Sequence, residues 1–372
     1  MTNREEAVLR LIKENPQISQ KDLAQRLGIE RSSVSVHIAN LMRKGIILGK
    51  GYIVDSIQAV AVIGAANMDI SGRCIQLLER ESNIGQIKLS AGGVGRNIAE
   101  VLARLDIPVS LYSALGEDAH GQAVLDSCRD LGIDTSLIQL DRDLPTSVYL
   151  EVLGPDGDMR LGVNDMQLTS RIDPAYIQRH SKRIRNAALA IVDANISEKS
   201  LMAVADTGQA RLFADPVSLA KAPRLQPILP RLYGLKPNKA EAEILSGVAV
   251  NDYHSAYEAI RALQRKGVSA VALSLGAEGV VASDGKEAFL LRVRPRGATG
   301  RPPLVSTTGC GDAFLGAWAA GTWQGLSFRE CMSLAMSAAD FNSGSGATIH
   351  EEMTLEAIQS NRKEVQIHEL DA

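Results

Sequence analysis

Between Leu304 and Trp318 the chain reads LVSTTGCGDAFLGAW: three hydroxyls, two glycines and one carboxylate ahead of a small, apolar run of helical character. Gly309 and Gly311 let the backbone turn tightly, so that N–H groups of the turn Thr308–Cys310 and of a helix expected from about Ala313 point one way. That is an anion hole suited to phosphate. No Lys follows the last glycine and no GxxxxGK[ST] is present, which excludes a Walker A loop. Asp312 is then the group able to take a proton from an alcohol attacking phosphorus. Taken alone, it reads equally as an ordinary helix N-cap.

Three further stretches place polar side chains where they could join it. SAGGVGRNIAE, from Ser90, carries the pair Gly92-Gly93 and then Asn97 entering a helix, and Gly116-Glu117-Asp118 follows a strand. IGAANMD (Ile63–Asp69) ends in Asn67 and Asp69, and KPNKAEAEIL spaces Asn238 three residues before Glu241. By itself the last pair is also a capping box.

The elements that must position these residues are apolar runs of strand length alternating with helical segments: AVAVIGAAN, VSLYSALG, ALAIVDANI, ARLFADPV, LYGLKPN and AVALSLGAEGVVAS. Strands too apolar to alternate imply an α/β fold, a mostly parallel sheet covered on both faces. Such sheets bind ligands at their carboxyl edge, where Asn67, Asp69, Asp193, Asn195, Asp215 and Asn238 fall. Thr146–Asp165 breaks the rhythm with two strands joined at Pro155-Asp156-Gly157, a small β lid over the site. Asn164-Asp165 lies at its return, placed to read a base or simply to form a polar turn.

Residues 1–56 have a different grammar. Apolar stripes at Val8, Leu9, Leu11 and Ile12, at Leu23, Ala24 and Leu27, and at Val34, Ile38, Leu41 and Met42 predict three helices, the second opened by Ser19 and closed by Gly28. GIILGKGYIV (Gly45–Val54) predicts a hairpin with Gly49-Lys50-Gly51 at its tip. The whole resembles a winged helix-turn-helix domain, which implies operator DNA as partner: Arg31, Ser32, Ser33, Ser35 and His37 facing the major groove, with Arg43, Lys44 and Lys50 on phosphates. A three-helix protein–protein module is the alternative. These residues carry nine Lys/Arg against six Asp/Glu up to Asp55, a net +3, leaving −6 on the rest.

In order and spacing, the stretches at Ser90–Gly121 and Leu304–Trp318 together resemble the two signatures of the ribokinase, or PfkB, family of carbohydrate and nucleoside kinases. The likeness runs from about Val60 to Asn361 and implies a ribokinase-like domain over residues 57–365. It implies ATP as co-substrate and Mg²⁺ as cofactor, with Asp312 as general base between Gly309 and Gly311, and Asp69 gripping sugar hydroxyls together with Asn67, Gly92, Gly93 and Asn97. Asn238 and Glu241 would organise magnesium and its waters, and LSLGAEGV would line the adenine side through Ser274, Gly276 and Gly279. SAGGVGRNIAE, GVNDM, VDANIS, FADPVS and LKPNKAEAEILSG look like the branch that phosphorylates the 5'-hydroxyl of pseudouridine, with Asn164 and Asp165 near the base. A ribose- or fructose-type sugar kinase and a nucleoside-sensing regulator are the alternatives.

Two positions depart from the family pattern. Ser306 stands where an Asp usually precedes Thr-x-Gly, a weaker ligand for the monovalent cation the resemblance implies beside the anion hole. Cys310 replaces an Ala, as a filler of similar volume or a redox-sensitive thiol. The cysteines Cys74, Cys128, Cys310 and Cys331 have neither CxxC spacing nor histidine neighbours, which disfavours disulfides and zinc. With no run long enough to span a bilayer and no signal-like start, the chain is expected to be cytoplasmic. A homodimer is expected from two-fold operators and from the lid strands.

Overall fold

The computed structural model describes residues 1–15, 18–48, 59–78, 80–209, 211–296 and 303–370. The first unit holds three helices, α1 (Asn3–Glu14), α2 (Gln20–Leu27) and α3 (Arg31–Arg43). Thr2 and Glu5 close a reciprocal capping box on α1, and Gly28 ends α2 in the left-handed conformation that turns the chain toward α3. Val8, Ile12, Leu23, Val34, Ile38 and Leu41 form its core. Met42, expected in the stripe, is instead exposed, because one residue past Leu41 the α3 surface has rotated away from the core. The expected hairpin lies, from Gly49 onward and including Lys50, outside the described residues.

Fifteen strands follow: β1 (Val60–Ile63), β2 (Asn67–Cys74), β3 (Gly85–Gly92), β4 (Val109–Tyr112), β5 (Ala114–Gly116), β6 (Gln139–Asp141), β7 (Val148–Leu153), β8 (Met159–Asp165), β9 (Leu189–Asp193), β10 (Leu212–Asp215), β11 (Gly234–Leu235), β12 (Ala270–Ser274), β13 (Val280–Ser283), β14 (Ala288–Val293) and β15 (Val365–Glu369). Nine of them make one sheet in the order β15-β14-β13-β12-β11-β10-β9-β1-β4. It is parallel from β4 to β12 and antiparallel from there to β15. The antiparallel edge carries the C-terminal stretch, so the body runs past residue 365, where Leu370 still bonds to Ala288.

Helices cover both faces, as the apolar strands require. α4 (Val94–Arg104), α5 (Ala119–Asp130), α10 (Cys310–Trp323), α11 (Phe328–Asn342) and α12 (Leu355–Asn361) bury Ile98, Leu102, Val124, Trp318 and Leu334 against one face. α6 (Pro174–Asn186), α7 (Glu198–Ala205), α8 (Lys239–Ser246) and α9 (Tyr253–Arg265) bury Ile177, Leu201, Leu245 and Ile260 against the other. No helix among the described residues is long and apolar enough to cross a membrane.

The lid is twice the size expected. β7 and β8 form the anticipated pair, but β2 and β3 complete a four-stranded sheet, β3-β2-β7-β8, so half of it comes from residues 67–92. β1 stops at Ile63 and the chain re-enters β2 at Asn67, so Asn67 and Asp69 belong to the root of the lid rather than to a strand of the main sheet. Register puts Ile70, Leu89, Leu150 and Val163 on one face and Asp69, Ser90, Tyr149 and Asn164 on the other.

Candidate active site

Helices α4 and α10 lie side by side, and each begins at a glycine with positive φ, Gly93 at 98° and Gly309 at 74°. Neither start has a side-chain cap. Each glycine is forced: a Cβ on Gly309 would sit 1.8 Å from Thr348 O, and one on Gly93 would sit 2.5 Å from Ala65 O. α10 starts three residues earlier than expected, which makes Asp312 an interior residue of the first turn and removes its N-cap reading. The N–H groups of Gly309, Gly311 and Asp312 find no acceptor among the described residues. They are the free donors an anion would use.

Asp312 faces α4, where Asn97 Nδ2 donates to its Oδ2 at 2.8 Å. Asn97 Oδ1 is buried with no partner among the described residues, an acceptor available to a hydroxyl. Burial, with the Asp215 and Asp193 carboxylates nearby, raises the Asp312 pKa to about 7, although Asn97 and Lys236 pull it down. Asp69, bonded by Asn67 Nδ2 at 2.6 Å, is likewise raised to about 6 by burial. Gly92 exists to admit it, since a Cβ there would meet Asp69 Oδ2 at 2.0 Å. Asn67, Asp69, Gly92, Gly93, Asn97 and Asp312 are thus linked into one polar cluster at the root of the lid.

On the other side of Gly311 a cavity of 460 Å³ opens, lined by Ser274, Gly276, Gly279, Cys310, Phe314 and Met336 among others. Its size and mixed lining suit an adenine nucleotide. Thr307 rather than the expected Thr308 lines it; Thr308 is held by Asn342 Nδ2 on its carbonyl, while its N–H donates to Ser306 Oγ. Burial pushes the Cys310 thiol up to about 11, which favours its reading as a filler over that as a redox-sensitive thiol.

Lys236 was not singled out from the sequence. Its Nζ is 3.3 Å from Asp215 Oδ2, and a Cβ on Gly311 would come within 2.5 Å of it. Burial alone would lower its pKa, but Asp215, Asp312 and Glu241 together hold it up. It is a fixed cation at the floor of the anion hole. The only signal for it was its place two residues before Asn238.

Asn238 and Glu241 do form the capping box of α8, Glu241 Oε2 accepting from Asn238 N at 2.9 Å and Asn238 Oδ1 from Glu241 N at 3.0 Å. Burial raises the Glu241 pKa. Among the described residues no three His, Cys, Asp or Glu side chains converge as a metal cage. One carboxylate near the phosphate hole does fit Mg²⁺, which keeps most of its waters and takes further ligands from substrate phosphates. On the lid, Asn164 shares a face with Tyr149 and Asp69. Asp165, the last residue of β8, falls on the opposite face and its Oδ1 accepts from Gln167 N.

On α3, Arg31, Ser32 and Ser33 are exposed and His37 half-buried, whereas Ser35 donates to Gln20 Oε1 at 2.9 Å. Lys44, expected on phosphate, pairs instead at 2.7 Å with Glu5, itself only 2% exposed. A buried carboxylate claims the lysine first.

The pfkB family carbohydrate kinase model matches residues 58–354, and a winged helix-turn-helix DNA-binding model matches residues 1–47. An uncharacterized sugar kinase of Escherichia coli K12, YeiI, is 34% identical over 93% of this chain and 95% of its own length. Pseudouridine kinase of the same organism is 33% identical over 75% of this chain and 90% of its own. The structure of Arabidopsis thaliana ribokinase complexed with ribose and ATP superposes with a TM-score of 0.71 at 24% identity, covering 82% of this chain and 98% of that one.

Proposed function

The chain belongs to the pfkB family of carbohydrate kinases, and from that premise we propose that it transfers the γ-phosphoryl group of ATP to the 5'-hydroxyl of a nucleoside, pseudouridine first among candidates. The observation that carries this reading is Asp312, a carboxylate of raised pKa bonded to Asn97 beneath the free N–H groups of α10. Asp69 accepts from two ribose hydroxyls while Asn97 Oδ1 accepts from a third group of the acceptor. The 5'-oxygen is thereby directed to Asp312, which takes its proton as the bond to phosphorus forms. The N–H groups of Gly309, Gly311 and Asp312 and the Lys236 ammonium stabilise charge spreading over the phosphoryl oxygens. Magnesium, when bound near Glu241, neutralises phosphate charge. Ser274, Gly276 and Gly279 border the adenine, and Asn164 reaches toward the base from the lid.

The helix-turn-helix unit supports a second role, binding operator DNA through Arg31, Ser32, Ser33 and His37, with nucleoside bound in the body altering operator affinity. Two copies would supply the two half-sites. The apolar lid face, with Ile87, Leu89, Leu150, Leu161 and Val163 exposed and Asp165 as its charge at the end of β8, is where we seat the second copy.

The test is ATP consumption by the purified protein with magnesium across pseudouridine, uridine, cytidine, inosine, guanosine, adenosine, ribose and fructose. Turnover on pseudouridine well above the rest is expected. Faster turnover on ribose or fructose makes it a sugar kinase, and no turnover with a nucleoside raising Tm makes the body a sensor.

A further inference from the structure

The family likeness implies a monovalent cation beside the anion hole, and the residues here do not fit one. Ser306 brings no charge, its hydroxyl already accepts from Thr308 N, and Ser343, whose carbonyl accepts from Ser306 N, carries a guanidinium on its own hydroxyl. Arg296 Nη1 donates to Pro303 O at 3.3 Å, while Nη2 reaches Asp340 O at 2.6 Å, Asp340 Oδ1 at 3.0 Å and Ser343 Oγ. Asp340 is itself buried and held on its other oxygen by Asn361 Nδ2 at 2.9 Å.

The position of this ion pair matters more than its strength. The last turn of α11 is the peg from which the phosphate-binding turn hangs. Ser343 O accepts from Val305 N at 2.9 Å and from Ser306 N at 3.3 Å, and Asn342 Nδ2 bonds both Thr308 O at 3.2 Å and Thr348 O at 2.9 Å. A helix C-terminus exposes carbonyls and a partial negative charge, so it is a natural seat for a cation. In this chain the seat is taken by a covalently tethered one, which bonds the same Ser343 that carries the loop and ties Pro303 to it.

We propose that Arg296 is the resident cation of the phosphate loop: it positions Val305–Gly309 by stapling Pro303 to the end of α11, so that the chain needs no dissolved alkali cation to order its anion hole. Arg296 is a positioning residue and touches no substrate. The proposal rests on the kinase reading for its turnover readout, and on nucleotide binding alone for the other.

The experiment measures MgADP affinity by calorimetry and phosphoryl transfer to pseudouridine, each at matched ionic strength in KCl, NaCl and tetramethylammonium chloride. Wild-type protein is expected to give the same affinity and rate in all three salts, within about twofold. Arg296→Ala should lose about tenfold or more in MgADP affinity in tetramethylammonium, with part returned by KCl or by guanidinium chloride and most by Arg296→Lys. Wild-type activation by K⁺ of about fivefold or more overturns the proposal without any variant, as does an Arg296→Ala protein of unchanged affinity in alkali-free salt. Absence of turnover on pseudouridine counts against the substrate, while the MgADP comparison still decides the cation.

Discussion

Asn97 Nδ2 stands 2.8 Å from Asp312 Oδ2, a hydrogen bond that joins the starts of two helices 215 residues apart in sequence. In the proposed mechanism, acceptor grip and proton acceptor are therefore one unit. Asp312→Asn keeps an oxygen for Asn97 but cannot take a proton, and kcat should fall by about 10²- to 10⁴-fold. Because the anion hole is backbone, MgADP affinity should stay within a few-fold, which calorimetry checks. Full turnover by this variant would remove Asp312 from the mechanism.

Acid should silence the enzyme. Asp312 accepts a proton only when ionised, so kcat/KM should fall about tenfold per pH unit below an apparent pKa near 7. Stability runs the opposite way. A carboxyl raised from 3.8 to about 7 by folding contributes stability that is fully present below the lower value and lost as pH rises through the upper. Asp312→Asn lacks that titration, so its Tm advantage over wild type should be small at pH 5 and larger at pH 8. An advantage independent of pH would contradict the raised pKa.

Lys236→Met should cost both catalysis and fold. Asp215 would be left buried without its cation, a loss of about 3 kcal/mol in urea unfolding. KM for ATP should rise as kcat falls, since the ammonium acts on phosphate charge. A variant impaired only in stability would confine Lys236 to the Asp215 pair.

Gly309→Ala tests the anion hole itself. The added methyl would occupy the place of Thr348 O and the residue would have to hold φ at 74°, a strain of about 1 kcal/mol or more before the clash. We expect loss of MgADP binding with the protein still folded, read by calorimetry and circular dichroism.

In the first unit, Lys44→Ala should lower the melting temperature of that unit by unpairing buried Glu5, whereas Arg31→Ala should leave stability unchanged and weaken binding to any duplex DNA. A gel-shift series against salt separates the two.

The main sheet was legible because β1 is uniformly apolar and β9 is apolar up to its final Asp193, and the Gly92-Gly93 and Gly309-Cys310-Gly311-Asp312 stretches announce close backbone approach. β2 and β3 were not, since NMDISGRC and GQIKLSAG alternate only weakly and Ile87 and Leu89 remain exposed. β15 is an edge strand of five residues with a mostly polar sequence, which its pairing with β14 rather than its own pattern specifies. Lys236 and Arg296 are invisible for another reason. A basic side chain reads as surface until its buried carboxylate partner, distant in sequence, is known.

Asp69 and Gly92 pair with neighbouring strands at the very root of the lid, Asp69 on β2 and Gly92 at the end of β3. Any swing of that sheet moves one jaw of the hydroxyl grip, while Asn97 and Asp312 stay with the body. In the proposed mechanism, recognition of the acceptor and exclusion of water thus become a single mechanical coordinate. An ATP molecule that arrives alone would then meet an unfilled grip and a proton acceptor with no hydroxyl to act on, so that wasteful hydrolysis would be held back by geometry rather than by a separate safeguard.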